Sequence, residues 1–200
     1  MTEVKEKKVE DIKKEAEGTI RCPVGKSLYY ITEFLNGPMC GRCFPCEMGT
    51  YEARIRLERL VNAEGSASDI EALKKIMNYM LTASMCMKGK NTAKFILEWM
   101  ATDVFDSHTK GECPQMECKG LIRYRIKPEL CIMCGDCQDV CKFNAILGEK
   151  RKPFLSGYLP FEIRQVRCTR CGECIKVCPT GAIVLESKAV FEKTLVNAGK

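Results

Sequence analysis

Eight of the chain's 15 cysteines fall in two runs of one spacing. Cys131, Cys134, Cys137 and Cys141 stand with two, two and three residues between them. Cys168, Cys171, Cys174 and Cys178 repeat the pattern, and Pro179 follows the last of them. Thiolates are soft ligands suited to iron–sulfur chemistry. Two-residue gaps wrap three thiolates around three corners of a four-iron cubane, and in paired runs of this spacing the fourth cysteine ligates the other cluster. The expected ligand sets are Cys131, Cys134, Cys137 and Cys178 for one [4Fe–4S] cluster, and Cys168, Cys171, Cys174 and Cys141 for the other. Gly135 and Gly172 would let backbone N–H groups approach the sulfur and tune the potential. A pair of zinc ribbons would use two separated two-cysteine hooks instead. The chemistry of such a pair is one-electron transfer.

A third hook, Cys40, Cys43 and Cys46, has the two-residue gaps but no cysteine three or four residues further on; the next is Cys86. On spacing alone a cluster and a structural zinc both suit it. That leaves Cys22, Cys113, Cys118 and the single histidine, His108. Four residues separate His108 from Cys113, and four more lead to Cys118. With Cys22 these make a tetrahedral zinc site of three cysteines and one histidine, expected to clamp the helical part of the chain to the part that follows. A [2Fe–2S] centre with one histidine and a set of three unrelated thiols are the competing readings.

These ligands need elements to hold them. Ile70, Leu73, Ile76, Met77, Met80 and Leu81 mark one face of a helix, with Ser68 or Asp69 as its cap and Gly65 in the turn before it. Ala93, Ile96, Leu97, Met100 and Val104 repeat the period after a break at Gly89 and Asn91. Met48, Tyr51, Ile55 and Leu60 give a looser version, and Ser27 to Leu35 a further helix. The pattern predicts four short helices in a small bundle, with Cys86 at the end of a helix. Residues 1–20 alternate Lys and Glu around Val4, Val9, Ile12 and Ala16. They read as a solvated helix or frayed tail, or as an arm that docks on a partner. The stretch LIRYRIK alternates as a short strand.

The two long cysteine runs are an internal repeat. Residues 131–146 realign on 168–183 with an offset of 37, and eight of the 16 aligned positions are identical: four cysteines plus Gly135/Gly172, Val140/Val177, Ala145/Ala182 and Ile146/Ile183. This is the pattern of a bacterial two-cluster ferredoxin, in which the fourth cysteine of each run is expected to start a helix. Lys142 stands where the first half would carry the counterpart of Pro179. Since that proline does not ligate, the cluster is expected to survive.

The stretch from Cys40 to Gly49, with Gly41 and Pro45, then two helices and Cys86, resembles the C-terminal helical domain of the NADH-oxidising flavoprotein subunit of respiratory complex I. Soluble NAD-linked hydrogenases and formate dehydrogenases carry similar subunits. The resemblance spans roughly residues 20–186 but only the rear part of that flavoprotein. It implies that Cys40, Cys43, Cys46 and Cys86 hold a third [4Fe–4S] cluster. Met39 and Glu47 depart from the family's Ser and Arg at non-ligand positions. Similar subunits of electron-bifurcating hydrogenases, which also carry a ferredoxin pair, hold zinc near the junction where His108, Cys113 and Cys118 lie.

The fold expected is α+β: an arm at 1–20, a helical [4Fe–4S] domain at 21–106, a connector with the zinc site at 107–127, a two-cluster ferredoxin domain at 128–186 and a tail at 187–200. The formal charge of +6 does not signal nucleic acid. Three [4Fe–4S] centres with four thiolates each bring about −2 apiece, and a zinc with three thiolates about −1, leaving the holoprotein near −1. The odd cysteine count and the charged N-terminal stretch oppose a secreted disulfide scaffold. The longest uncharged run, Ile76 to Met87, is too short to span a bilayer. A cytoplasmic location is expected. No Gly-rich dinucleotide fingerprint occurs, and with one histidine there is no nucleophile–base pair. The chain is therefore expected to be non-catalytic by itself: an electron-transfer subunit between a flavoprotein subunit binding FMN or FAD and NAD(P)H, and a hydrogenase, a formate dehydrogenase or a soluble ferredoxin. An iron–sulfur redox sensor and a freestanding polyferredoxin are the alternatives.

Overall fold

The computed structural model describes residues 7–152 and 159–198, with side chains to residue 194. It divides into two compact units, with the boundary between Leu121 and Ile122.

Among the described residues, the first unit holds six helices: α1 (Val9–Thr19), α2 (Pro23–Asn36), α3 (Phe44–Val61), α4 (Ala67–Ala83), α5 (Met87–Met100) and α6 (Val104–Thr109). Helix α2 packs on α1, α3 and α5, and α4 bridges α3 and α5. Their apolar stripes meet in one core, where Ile31, Leu57, Leu73, Met77 and Ile96 are fully buried. Each such side chain contributes about 1.5–3 kcal/mol.

Several expectations need correcting. Ile12 and Ala16 are fully buried in that core, so α1 uses its apolar stripe within this chain rather than as a free arm; Val4 lies outside the described residues. Helix α5 starts at Met87, not after Asn91. Gly89 and Asn91 sit inside its first turns because Gly89 packs directly against Ser84 and Cys46, where no Cβ fits. Cys86 is consequently the N-cap of α5 rather than the end of α4. Helix α4 is capped by Ser66, whose N–H donates to the Asp69 carboxylate over 2.9 Å, the reciprocal bond of a capping box.

Helix α3 has two apolar faces. Cys46, Ala53, Leu57 and Leu60 turn into the core. Phe44, Met48, Tyr51 and Ile55 form an exposed stripe, with Phe44 75% accessible.

The second unit contains β1 (Ile122–Ile126), β2 (Ile146–Leu147), β3 (Glu162–Ile163) and β4 (Ile183–Ser187), with short helices α7 (Asp136–Asp139) and α8 (Glu173–Val177) and a final α9 (Lys188–Ala198). The stretch expected as a strand is β1, and it belongs to this unit because it pairs antiparallel with β4, Ile126 opposite Ile183. Strands β2 and β3 pair with Ile146 opposite Ile163. Shifting each member of the first pair by the repeat offset and exchanging halves gives the second pair, so the duplication is a pseudo-two-fold. Left-handed backbone recurs at the same offset: Met133 and Arg170 (both φ 58°), Gly135 and Gly172 (φ 88° and 81°), and Asn144 and Gly181 (φ 47° and 64°). The residues expected as a tail, 188–198, are α9.

Candidate metal centres

In the second unit, Gly135 and Gly172 N-cap α7 and α8. Their left-handed conformation turns each chain sharply between the second and third cysteine of its hook. Cys141 and Cys178 follow these helices rather than starting new ones, because α7 and α8 last only one turn and release the chain at the fourth cysteine.

Two cavities result. One, about 310 Å³, is lined by Cys131, Cys134, Cys137 and Cys178 with Ile126, Phe161 and Thr180. The other, about 360 Å³, is lined by Cys141, Cys168, Cys171 and Cys174 with Tyr124 and Phe143. Each cavity thus gathers three cysteines of one run and the fourth of the other. The walls are apolar, and donors reach sulfur: the Ala145 N–H donates to Cys141 Sγ over 3.3 Å, and Thr180 Oγ1 lies 3.8 Å from Cys178 Sγ. Burial opposes the Cys178 thiolate, but the Thr180 hydroxyl and the N–H groups of Ala182, Thr180 and Ile183 lower its pKa. Burial and the neighbouring thiols push Cys137 and Cys174 up to about 11. Without a cation the thiols cannot all ionise together; iron supplies that charge. Tyr124 and Phe161 occupy equivalent positions in the repeat, as do Phe143 and Thr180, so the two cavities are related but not identical.

In the first unit, Cys43 N-caps α3, and Cys46 lies in its first turn, where Pro45 favours helix initiation. Cys86 N-caps α5, and the N–H groups of Gly89 and Lys88 in the first turn of that helix lower its thiol pKa, offset in part by burial. Cys43 and Cys46 are buried, whereas Cys40 and Cys86 are exposed. Burial, with Cys43, Cys86 and Cys40 beside it, pushes Cys46 up to about 11. Four thiols therefore stand around the N-termini of two helices, whose positive ends favour an anionic group.

The remaining four residues form a tighter cluster. One ligand atom from each of Cys22, His108, Cys113 and Cys118 lies within 4.8 Å of all the others, and all four residues are buried. His108 Nε2 is 3.4 Å from Cys22 Sγ and 3.3 Å from Cys118 Sγ, and the two sulfurs are 3.6 Å apart. A tetrahedral zinc with Zn–S of about 2.3 Å has S···S edges of about 3.8 Å, which these spacings match. Ligands on the two irons of a [2Fe–2S] centre stand farther apart than ligands of one ion. The Val104 carbonyl, 2.8 Å from Nδ1, accepts the ring proton there and leaves Nε2 facing the sulfurs. In the metal-free protein burial opposes the imidazolium, but the Cys113 and Cys22 sulfurs outweigh it and hold His108 at about 9. Hydrogen bonds from the Cys118 and Cys22 thiols hold Cys113 well below the usual thiol range, and the same contacts push Cys118 up. All four residues belong to the first unit, so the site fastens the 107–121 segment to the α1–α2 junction.

Glu117 supports that junction and carries no motif that would have singled it out. Its carboxylate accepts the N–H of Cys22 at 2.8 Å and of Arg21 at 2.9 Å.

Comparison with known proteins bears on the two iron–sulfur regions. Residues 26–108 match the NADH-ubiquinone oxidoreductase-F iron-sulfur binding region, and residues 130–182 match the 4Fe-4S dicluster domain. The NADP-reducing hydrogenase subunit HndC of Solidesulfovibrio fructosivorans is 29% identical over 66% of this chain and 27% of its own length. The NADP(+)-dependent formate dehydrogenase subunit beta of Moorella thermoacetica is 30% identical over 47% of this chain and 12% of its own. An NADH-quinone oxidoreductase subunit of Mycobacterium tuberculosis is 34% identical over 42% of this chain and 19% of its own. The chain thus spans little more than a quarter of these relatives at most. Among the described residues, no helix is long and apolar enough to cross a membrane.

Proposed function

Because the chain joins an NADH-ubiquinone oxidoreductase-F iron–sulfur binding region to a 4Fe-4S dicluster domain, we propose that it is the electron-transfer subunit of a multisubunit oxidoreductase, holding three [4Fe–4S] clusters and one zinc. When bound, the clusters supply one-electron chemistry. The observation that carries the reading is the crossed lining of the two cavities, with Cys178 beside the first hook and Cys141 beside the second. That crossing ties the two halves together through their ligands.

The chain's own residues bind and insulate. Cys40, Cys43, Cys46 and Cys86 hold the third cluster between two helix N-termini, whose dipoles offset its negative charge. Ile126, Phe161 and Ile183 keep water from one dicluster site, and Tyr124, Phe143 and Ile163 from the other. Cys22, His108, Cys113 and Cys118 take the zinc, which is structural: all four positions of the tetrahedron are filled by protein. The partners we propose are a flavoprotein subunit using NAD(P)H on one side, and a hydrogenase or formate dehydrogenase catalytic subunit, or a soluble ferredoxin, on the other. The relatives named as hydrogenase and formate dehydrogenase subunits support the hydrogenase and formate dehydrogenase part of this reading. The exposed Phe44–Ile55 stripe of α3 begins inside the Cys40–Cys46 hook and is the surface we assign to the flavoprotein, since an apolar patch of this kind marks a protein contact. We place the assembly in the cytoplasm.

Purification from the native source tests the subunit reading. The chain should elute in stoichiometric amount with a flavin-containing subunit. Elution as an isolated iron–sulfur monomer would instead identify a freestanding polyferredoxin or a sensor.

A further inference from the structure

The Ser84 hydroxyl is buried and, among the described residues, has no hydrogen-bond partner. Such a group is costly in a protein interior and calls for a reason. Its position supplies one. Ser84 is the C-cap of α4, its own N–H spent on the Met80 carbonyl at 3.1 Å. Two residues later Cys86 opens α5. A Cβ placed on Gly89 would lie 2.7 Å from Ser84 Oγ and 3.1 Å from Cys46 Sγ. The hydroxyl and the Cys46 sulfur therefore converge on the bare face of Gly89, and any side chain there would wedge them apart. The N–H groups of Gly89 and Lys88 lie on the same turn and favour the Cys86 thiolate. The α4–α5 turn thus gathers three donors beside two of the four expected ligands, and the Ser84 hydroxyl has no acceptor among the described residues.

We propose that Ser84 is a positioning residue for the helical-region cluster: its hydroxyl donates a hydrogen bond to the cluster's sulfur envelope and raises the reduction potential of that centre. The proposal rests on Cys40, Cys43, Cys46 and Cys86 being the ligands. No proton is transferred. Reduction adds negative charge to the sulfur, so a fixed donor stabilises the reduced state more than the oxidised one. Gly89 is required for the same reason, because it alone leaves the space between donor and sulfur open.

The test is an EPR-monitored potentiometric titration of the full chain under anaerobic conditions, with the helical-region signal identified by its loss in Cys40→Ala. Ser84→Ala should make reduction of that centre about tenfold less favourable, a downward midpoint shift of about 59 mV for one electron, and leave the two dicluster signals in place. Ser84→Thr should restore the wild-type midpoint. An exchangeable-proton coupling to the same signal should vanish in Ser84→Ala and return in Ser84→Thr. An unchanged midpoint in a Ser84→Ala protein of full iron content overturns the proposal. If Ser84→Ala does not assemble, Ser84→Cys, a weaker donor of similar size, should give a smaller downward shift; no shift there overturns it equally. Should Cys40→Ala remove no signal and no iron, the ligand assignment itself fails and the proposal falls with it, a result distinct from a full-iron variant with an unmoved midpoint.

Discussion

Cys178 and Cys131 line one cavity although they belong to opposite halves of the repeat. Cys141 stands in the same relation to Cys168 across the other cavity. Because the lining is crossed, loss of Cys141 should deplete the site beside the Cys168 hook and leave the four cysteines that line the other cavity complete. The paired strands hold that relation in place: Ile126 opposes Ile183 at one end of the pseudo-two-fold, and Ile163 opposes Ile146 at the other.

About one zinc per chain is expected at Cys22, His108, Cys113 and Cys118. Metal analysis of His108→Ala should show zinc lost and iron retained, with increased protease access to the 107–121 segment. A metal-replete wild-type preparation without zinc would rule the site out.

Asp69 gives the helical unit an acid sensitivity. Its side chain is 1% exposed and pairs with Arg56 at 2.9 Å and Arg59 at 3.1 Å. Burial works against its charge, but the Ser66 bonds and the two arginines hold its pKa below the ordinary carboxylate value of 3.8. A carboxylate lowered on folding contributes stability above its unfolded pKa, and that stability is lost as pH falls through the lower folded value. Asp69→Asn should cost roughly 2–4 kcal/mol at neutral pH. In denaturant titrations the cost should shrink as the pH falls below about 4. A cost that stays constant down to about pH 2 would contradict the ion-pair explanation.

Tyr124 and Phe161 provide an internal comparison. A Cβ on Gly172 would lie 3.2 Å from Tyr124 Oη, so this hydroxyl faces the Cys168 hook while its counterpart Phe161 has none to offer. Tyr124→Phe should lower one dicluster midpoint by up to about 59 mV and leave the other unmoved. Equal movement of both would show that the effect is not local.

Much of this was legible in the sequence. The cysteine spacings and the repeat offset pointed to the crossed ligand sets, because iron–sulfur geometry ties function to local chain length. The apolar stripes located α4 and α5, since burial sets their period, whereas the stripe Met48, Tyr51 and Ile55 marked α3 by its exposed face and the core side is Ala53, Leu57 and Leu60. What was not legible depended on tertiary contact. Gly89 reads as a helix breaker, yet it lies inside α5 because Ser84 and Cys46 leave no room for a side chain. Met133 and Arg170 take the left-handed conformation without being glycine or asparagine, so no residue type announces it. Ile12 and Ala16 look like a free amphipathic face until α2 is seen to pack on α1. Glu117 is one acidic residue among 26 in the Asp and Glu count, distinguished only by folding next to Cys22.

The isolated chain should not oxidise NADH, hydrogen or formate with artificial dyes, yet should accept electrons from a reduced flavoprotein partner. Replacing Cys171 should block onward transfer while the partner's flavin is still reduced. Stopped-flow absorbance of flavin and clusters separates the two steps. Turnover of NADH by the purified chain alone would require a cofactor site that none of the described residues forms.

Iron and sulfide content, measured anaerobically on the wild-type chain and on Cys40→Ala, decides whether the chain carries three clusters. Three four-iron clusters predict about 12 iron and 12 sulfide per wild-type chain, and about 8 of each in the variant. A wild-type value near 8 that Cys40→Ala leaves unchanged would contradict a cluster in the helical unit and the electron path that runs through it.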